Sequence, residues 1–148
     1  MGLLSDLGGG SVAIDSAAFI YFIEEHPAYL PVVEPLFEAV DSGSIAAVTS
    51  SLTLLETLVV PLRAGNHALA QRYEALLTGS RNLTLVPLDL AQLRSAAQLR
   101  AVTRLKTPDA IQLAAALSES CKTMVTNDSR YPPLPGLRIL QVESYLGS

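Results

Sequence analysis

Along the chain, short apolar runs alternate with longer stretches in which apolar residues recur at helical spacing. Ser11-Val12-Ala13-Ile14 is an apolar run that stops at Asp15 and predicts a strand. Ser16 to Ile23 then reads as a helix, with Ser16 as a cap candidate and Pro27 as its stop. Pro31 to Ser42 is a second helix, with Val33, Leu36, Phe37 and Val40 on one face and Asp41-Ser42-Gly43 as a stop. Ile45 to Val48 predicts the second strand. Ser50 or Ser51 then caps a helix through Val60, where Pro61 interrupts or kinks it. Asn66 to Thr78 is helical, Leu83 to Val86 is the third strand, and Asp89 caps a helix running to Arg104.

The stretch around which the rest is organised comes next. Thr107 is a suitable N-cap, Pro108 suits the first helical position and Asp109 falls in the first turn of an Ala-rich helix. Thr123 to Thr126 predicts a buried strand with Asp128 just past its end, and Arg138 to Leu140 a last short strand after a Pro-rich loop. Strands alternating with helices predict an α/β fold: a three-layer α/β/α sandwich around a mainly parallel sheet of about five strands. Met1 to Gly10, with Gly8-Gly9-Gly10, reads as a flexible N-terminal segment, and residues 11–148 as a single domain.

Composition narrows the class. The 148 residues are 49% hydrophobic and 16% charged, enough apolar material for a large core. No apolar run approaches the roughly 18 residues that cross a bilayer. The first ten residues lack the basic start and apolar core of a secretory signal. Asp6 breaks the myristoylation pattern that Met1-Gly2 begins. Cys121 is the single cysteine, so no internal disulfide forms and a reducing cytoplasm fits. It reads as a buried structural thiol, and His26 and His67 as surface residues without metal-ligand spacing. The net charge of −4 argues against gripping nucleic acid by bulk charge, but not against an enzyme whose metal ions supply the local positive charge. No glycine-rich loop follows a strand, which disfavours nucleotide binding. Pro87 stands where a phosphoacceptor receiver domain needs an acid.

Four acids carry the candidate chemistry. Asp15 and Asp128 follow strands, Asp109 opens a helix, and Glu56 lies in an apolar helix after the second strand. Each has an ordinary alternative: a cap for Asp15, dipole stabilisation for Asp109, a turn for Asp128, and an outward-facing position for Glu56. A parallel sheet nevertheless brings all four toward the carboxyl edge of the strands, where such folds bind ligands. Four like charges there need neutralising, and hard divalent cations such as Mg²⁺ or Mn²⁺ take oxygen ligands. That arrangement is what metal-assisted phosphodiester hydrolysis uses. Arg104 and Lys106 precede a helix N-terminus, where cations are mildly unfavourable, and are candidates for RNA phosphate contact; solvated surface charge is the default alternative.

These residues give the chain a family resemblance. Val12-Ala13-Ile14-Asp15-Ser16, Thr49-Ser50-Ser51 leading to Glu56, Thr107-Pro108-Asp109-Ala110 and Val125-Thr126-Asn127-Asp128 resemble, in order and spacing, the motifs of PIN-domain ribonucleases, and among them the VapC-type toxins of toxin–antitoxin pairs. The resemblance covers nearly all of the chain after Gly10. It implies a Mg²⁺- or Mn²⁺-dependent endoribonuclease in which Asp15, Glu56, Asp109 and Asp128 are catalytic and Asp15, Asp109 and Asp128 bind metal. Ser16 and Thr126 match positions whose hydroxyls support the site. It also implies a small antitoxin as partner. A homodimer is expected because the apolar content suggests more apolar faces than one core covers, with Phe19, Ile20, Phe22, Leu36 and Phe37 offered as surface. One departure stands out: Ser129-Arg130-Tyr131 places Arg130 where many relatives have a further acid, which leaves a second metal position open. The alternative reading is a catalytically weak PIN-like module that acts by binding protein or RNA.

Overall fold

The computed structural model describes residues 2–147. Met1 and Ser148, which bound the expected ranges 1–10 and 11–148, lie outside the described residues. Five strands form one sheet: β1 (Val12–Ile14), β2 (Ala47–Ser50), β3 (Leu83–Val86), β4 (Thr123–Thr126) and β5 (Arg138–Gln141). Their order is β3-β2-β1-β4-β5 and every pairing is parallel. The helices are α1 (Leu3–Asp6), α2 (Ser16–Ile23), α3 (Leu30–Ser42), α4 (Leu52–Arg63), α5 (His67–Gly79), α6 (Leu90–Val102) and α7 (Thr107–Ser118), followed by a 3-10 turn at Val142–Tyr145.

The three layers follow from strand pleat. Val12, Ile14, Ala47 and Val125 point to one face and pack with Phe19, Val33, Leu36, Phe37 and Leu77 from α2, α3 and α5. Ala13, Val48 and Met124, one register position away, point to the other face and pack under α6 and α7. The three central strands are buried on both faces, as parallel strands covered by helices must be. Residues 110–116 of α7 are all buried, and its alanines let the helix lie close to the sheet.

Four expectations need correction. The described part of the N-terminal segment is folded: Leu3 and Leu7, one helical turn apart, are buried in the first core. Polar contacts tie this segment down, with Thr123 Oγ1 donating to the Leu7 carbonyl (2.8 Å) and the Tyr145 hydroxyl to Asp6 Oδ2 (2.6 Å). β2 lies two residues later than expected, because Thr49 and Ser50 are buried strand residues satisfied by a partner distant in sequence. Pro61 does not interrupt α4 but sits buried inside its last turn. Finally, Phe19, Leu36 and Phe37 are buried in the chain's own core, and Ile20 and Phe22 are only partly exposed. The face proposed for dimerisation is therefore largely covered. The large apolar residues that do reach the surface include Leu55, Val60, Leu90 and Val102, on α4 and α6.

Candidate active site

β1 and β4 are neighbours, and the chain runs outward from β1 to β2 and β3 before crossing back to β4. The sheet thus has its topological switch point between β1 and β4, where α/β folds leave a crevice at the carboxyl ends of the strands. A cleft of about 510 Å³ opens there, and its lining includes Asp15, Glu56, Asp109 and Asp128 together with Ser16, Gln112 and Arg130.

Asp15 directly follows β1 and caps α2. Its Oδ1 accepts from the Ser16 backbone N–H (2.7 Å) and its Oδ2 from the Thr126 hydroxyl (2.8 Å), so both oxygens are fixed. The cap reading and the site reading are both true of this residue. It is only 8% exposed, and burial raises its pKa against the pull of those hydrogen bonds, with the charge of Asp128 adding to the rise. Thr126 Oγ1 also accepts from the Asp128 backbone N–H (3.0 Å), which links the two strand ends through one hydroxyl.

Glu56, half-buried on α4, faces this cleft rather than open solvent. Burial raises its pKa, opposed by hydrogen bonding from Ser16 and Gln112 and reinforced by the Asp15 charge. Asp109 lies in the first turn of α7, as expected, but the cap is Lys106 rather than Thr107, whose hydroxyl instead accepts from Arg100 Nη1 (2.9 Å). The Asp109 carboxyl is pushed up to about 6, first by burial and then by the charge of Asp128. Asp128 moves the other way, because Arg130 hydrogen-bonds to it and holds it below the usual carboxylate range. Arg130 thus offsets the charge of Asp128 most and that of Asp109 in part, while burial dominates at Asp15, Glu56 and Asp109.

Several contributors escape a reading of the chain for acids. Gln112 is buried at the back of the cleft, where its Nε2 donates to Thr53 Oγ1 (2.8 Å) and its Oε1 accepts from the Ser50 N–H (3.2 Å) and more weakly from Thr49 Oγ1 (3.4 Å). Its signal was present: a lone polar residue in an Ala-rich helix body, three positions after Asp109 and so on the same face. The Tyr131 hydroxyl is buried and, among the described residues, is the one buried side-chain polar atom without a hydrogen-bond partner. Burial and the charges of all four acids push its pKa up. Arg104 and Lys106 are exposed and do not line the cleft. Cys121 is buried and His67 exposed, while His26 Nδ1 accepts from the Ala28 and Tyr29 backbone N–H groups in the turn between α2 and α3.

A family model described as the PIN domain matches residues 12–136. The chain belongs to the PIN domain family. No curated protein matches it in sequence. Among solved structures it is similar to VapBC2 from Rickettsia felis bound to a promoter DNA fragment, with a TM-score of 0.69 at 16% identity over 89% of this chain and 98% of that one. It is similar also to a toxin–antitoxin complex from Klebsiella pneumoniae, with a TM-score of 0.63 at 20% identity over 86% and 95% of the two chains. A third is VapC20 of Mycobacterium tuberculosis, a sarcin-ricin loop cleaving toxin, with a TM-score of 0.64 at 15% identity over 77% and 87%. At such identities the likeness carries the fold, and the PIN fold expected from the sequence is the one observed.

The donor set suits a hard divalent cation: carboxylate oxygens only, partly desolvated and mutually repelling. As they stand, no three His, Cys, Asp or Glu side chains among the described residues are placed to hold a metal ion together. The Arg130 guanidinium lies between two of them.

Proposed function

We propose that this PIN-domain protein is a Mg²⁺- or Mn²⁺-dependent endoribonuclease, acting in the cytoplasm as the toxin of a toxin–antitoxin pair. The observation that carries the reading is one cleft, at the sheet's switch point, lined by Asp15, Glu56, Asp109 and Asp128, three of them desolvated. Asp15, Asp109 and Asp128 would hold the metal. A divalent ion there supplies charge that activates water and stabilises the leaving oxygen. Ser16 and Thr126 hold the two oxygens of Asp15 in a fixed direction. Glu56, whose pKa is raised by burial, is suited to accept a proton from the attacking water. Products with a 5′-phosphate and a 3′-hydroxyl fit this chemistry.

RNA substrate, a small antitoxin and a homodimer are the partners of this reading, and the antitoxin would cover the cleft. The test is cleavage of single-stranded RNA with Mn²⁺, with and without chelator, by wild type and Asp15→Asn. Loss of cleavage with chelator, and a fall of about 10²-fold or more in the variant, is expected. Chelator-resistant cleavage, or an undiminished rate in Asp15→Asn, refutes the mechanism.

The second reading, a catalytically weak PIN-like binding module, is favoured by one observation: Arg130 already pairs with two of the acids. Absence of divalent binding at millimolar concentration would support it over the nuclease.

A further inference from the structure

Arg130 stands out among the charged residues of this chain. The chain has 10 Lys and Arg and 14 Asp and Glu, yet among the described residues the ion pairs within 4.0 Å are both made by Arg130. Its Nε donates to Asp128 Oδ1 (2.9 Å) and Oδ2 (3.2 Å), and its Nη2 to Asp128 Oδ2 (2.7 Å). Its backbone N–H donates to Asp128 Oδ1 as well (2.9 Å), which closes the turn. The same Nη2 lies 3.4 Å from Asp109 Oδ2. The guanidinium therefore spans an acid after β4 and an acid at the start of α7.

The burial of the three side chains differs. Arg130 is 54% exposed, whereas Asp128 and Asp109 are 19% and 14% exposed. The acids are largely buried in the cleft wall and the cation reaches them from the solvent side. Arg130 stands only two positions after Asp128, so it cannot diffuse away, and its effective concentration at the acids is high.

A planar guanidinium fork engages both oxygens of one carboxylate. A hard cation needs those same oxygens, and two cations on one carboxylate repel each other. We propose that Arg130 is a tethered competitor of the divalent ion: guanidinium and metal exclude each other at the Asp109–Asp128 pair, and metal binds there only as Arg130 swings out to solvent. The inference rests on the metal-dependent reading above and deepens it. Arg130 makes the site selective for conditions under which divalent ions are abundant enough to displace it. The Arg130 side chain is 54% exposed, so it can leave the acids for solvent without opening the core.

Calorimetric binding of Mn²⁺ to the full chain, as wild type, Arg130→Gln and Arg130→Lys, tests it. Arg130→Gln is expected to bind Mn²⁺ on the order of tenfold more tightly than wild type, the size of effect an opposite charge at such distance has on a carboxylate. Arg130→Lys keeps the charge but loses the fork, and is expected to fall between them. Both variants alter an exposed side chain and retain the fold, which a thermal melt without metal verifies. Equal or weaker binding by Arg130→Gln overturns the competition while leaving the metal-dependent reading in place. No Mn²⁺ binding by any of the three overturns both.

Discussion

At the carboxyl edge of the sheet, two groups of polar side chains lie side by side and are treated oppositely. Thr49, Ser50, Thr53 and Gln112 form a neutral network in which donors meet acceptors: Thr49 and Thr53 hydroxyls lie 2.7 Å apart, and Gln112 serves both strand β2 and helix α4. Asp15, Glu56 and Asp109 share a cleft with it, yet their charges are desolvated and face one another, with Arg130 offsetting only part of the repulsion. Buried polar groups that are satisfied stabilise and specify a fold. Buried charges that remain unneutralised do not, and folded proteins keep them chiefly where they bind or react. The contrast separates scaffold from site without reference to any relative.

The contrast can be sharpened by mutation, beginning with the largest expected change in stability. Gln112→Ala strips partners from Ser50 N–H and Thr53 Oγ1 inside the protein, and should destabilise it by about 2–4 kcal/mol. Denaturant unfolding measures this, and a change under 0.5 kcal/mol would mean that the neutral network is not a scaffold element. A smaller effect is expected from pH. The folded-state pKa of Asp109 is raised from 3.8 to about 6, and those of Asp15 and Glu56 are also raised. Stability from these groups is therefore fully present below their unfolded pKa values and lost as pH rises through the folded ones. Asp128, with its pKa lowered, acts in the opposite sense, and only below about pH 4. Metal-free stability should thus fall between about pH 4 and pH 7, and Asp109→Asn should flatten the slope. Unfolding midpoints across that range decide it, and a rise with pH would contradict the picture of three desolvated acids. The smallest effect concerns Tyr131. Removing its unpartnered hydroxyl in Tyr131→Phe should leave stability unchanged or raise it by up to about 1 kcal/mol. A loss of more than that would show that the hydroxyl has a partner.

The strands and their terminal acids were legible because both signals are local: an apolar run ended by Asp15, another followed at once by Asn127-Asp128, and an acid in the first turn of an alanine-rich helix. The parallel sheet followed from alternation, and the convergence of the acids from the sheet. What escaped was non-local. The second strand reads as ending at Val48, with Ser50 as a helix cap, because the Gln112 that satisfies Thr49 and Ser50 lies 62 residues beyond Ser50. Leu3 and Leu7 were hidden by the glycines after them, although their spacing was helical. Phe19, Leu36 and Phe37 read as surplus because the depth of a three-layer core is set by how helices pack, not by any one helix. Arg130 was noticed for the acid it replaces, whereas its contact with Asp109, 21 positions earlier, exists only in the folded chain.

The central claim is that the charged group is a metal site and not a set of caps and turns. A thermal melt of wild type and Asp109→Asn, each with and without Mn²⁺, tests it most directly. At about 100-fold excess over its dissociation constant, Mn²⁺ should stabilise wild type by roughly 2.7 kcal/mol, a rise of about 5–10 °C. Asp109→Asn should melt higher than wild type without metal, because repulsion is relieved, and should respond less to Mn²⁺, because a ligand is lost. A wild-type melt indifferent to Mn²⁺, with Asp109→Asn melting lower, would mean that Asp109 serves only the start of α7 and that the four-acid site is wrong.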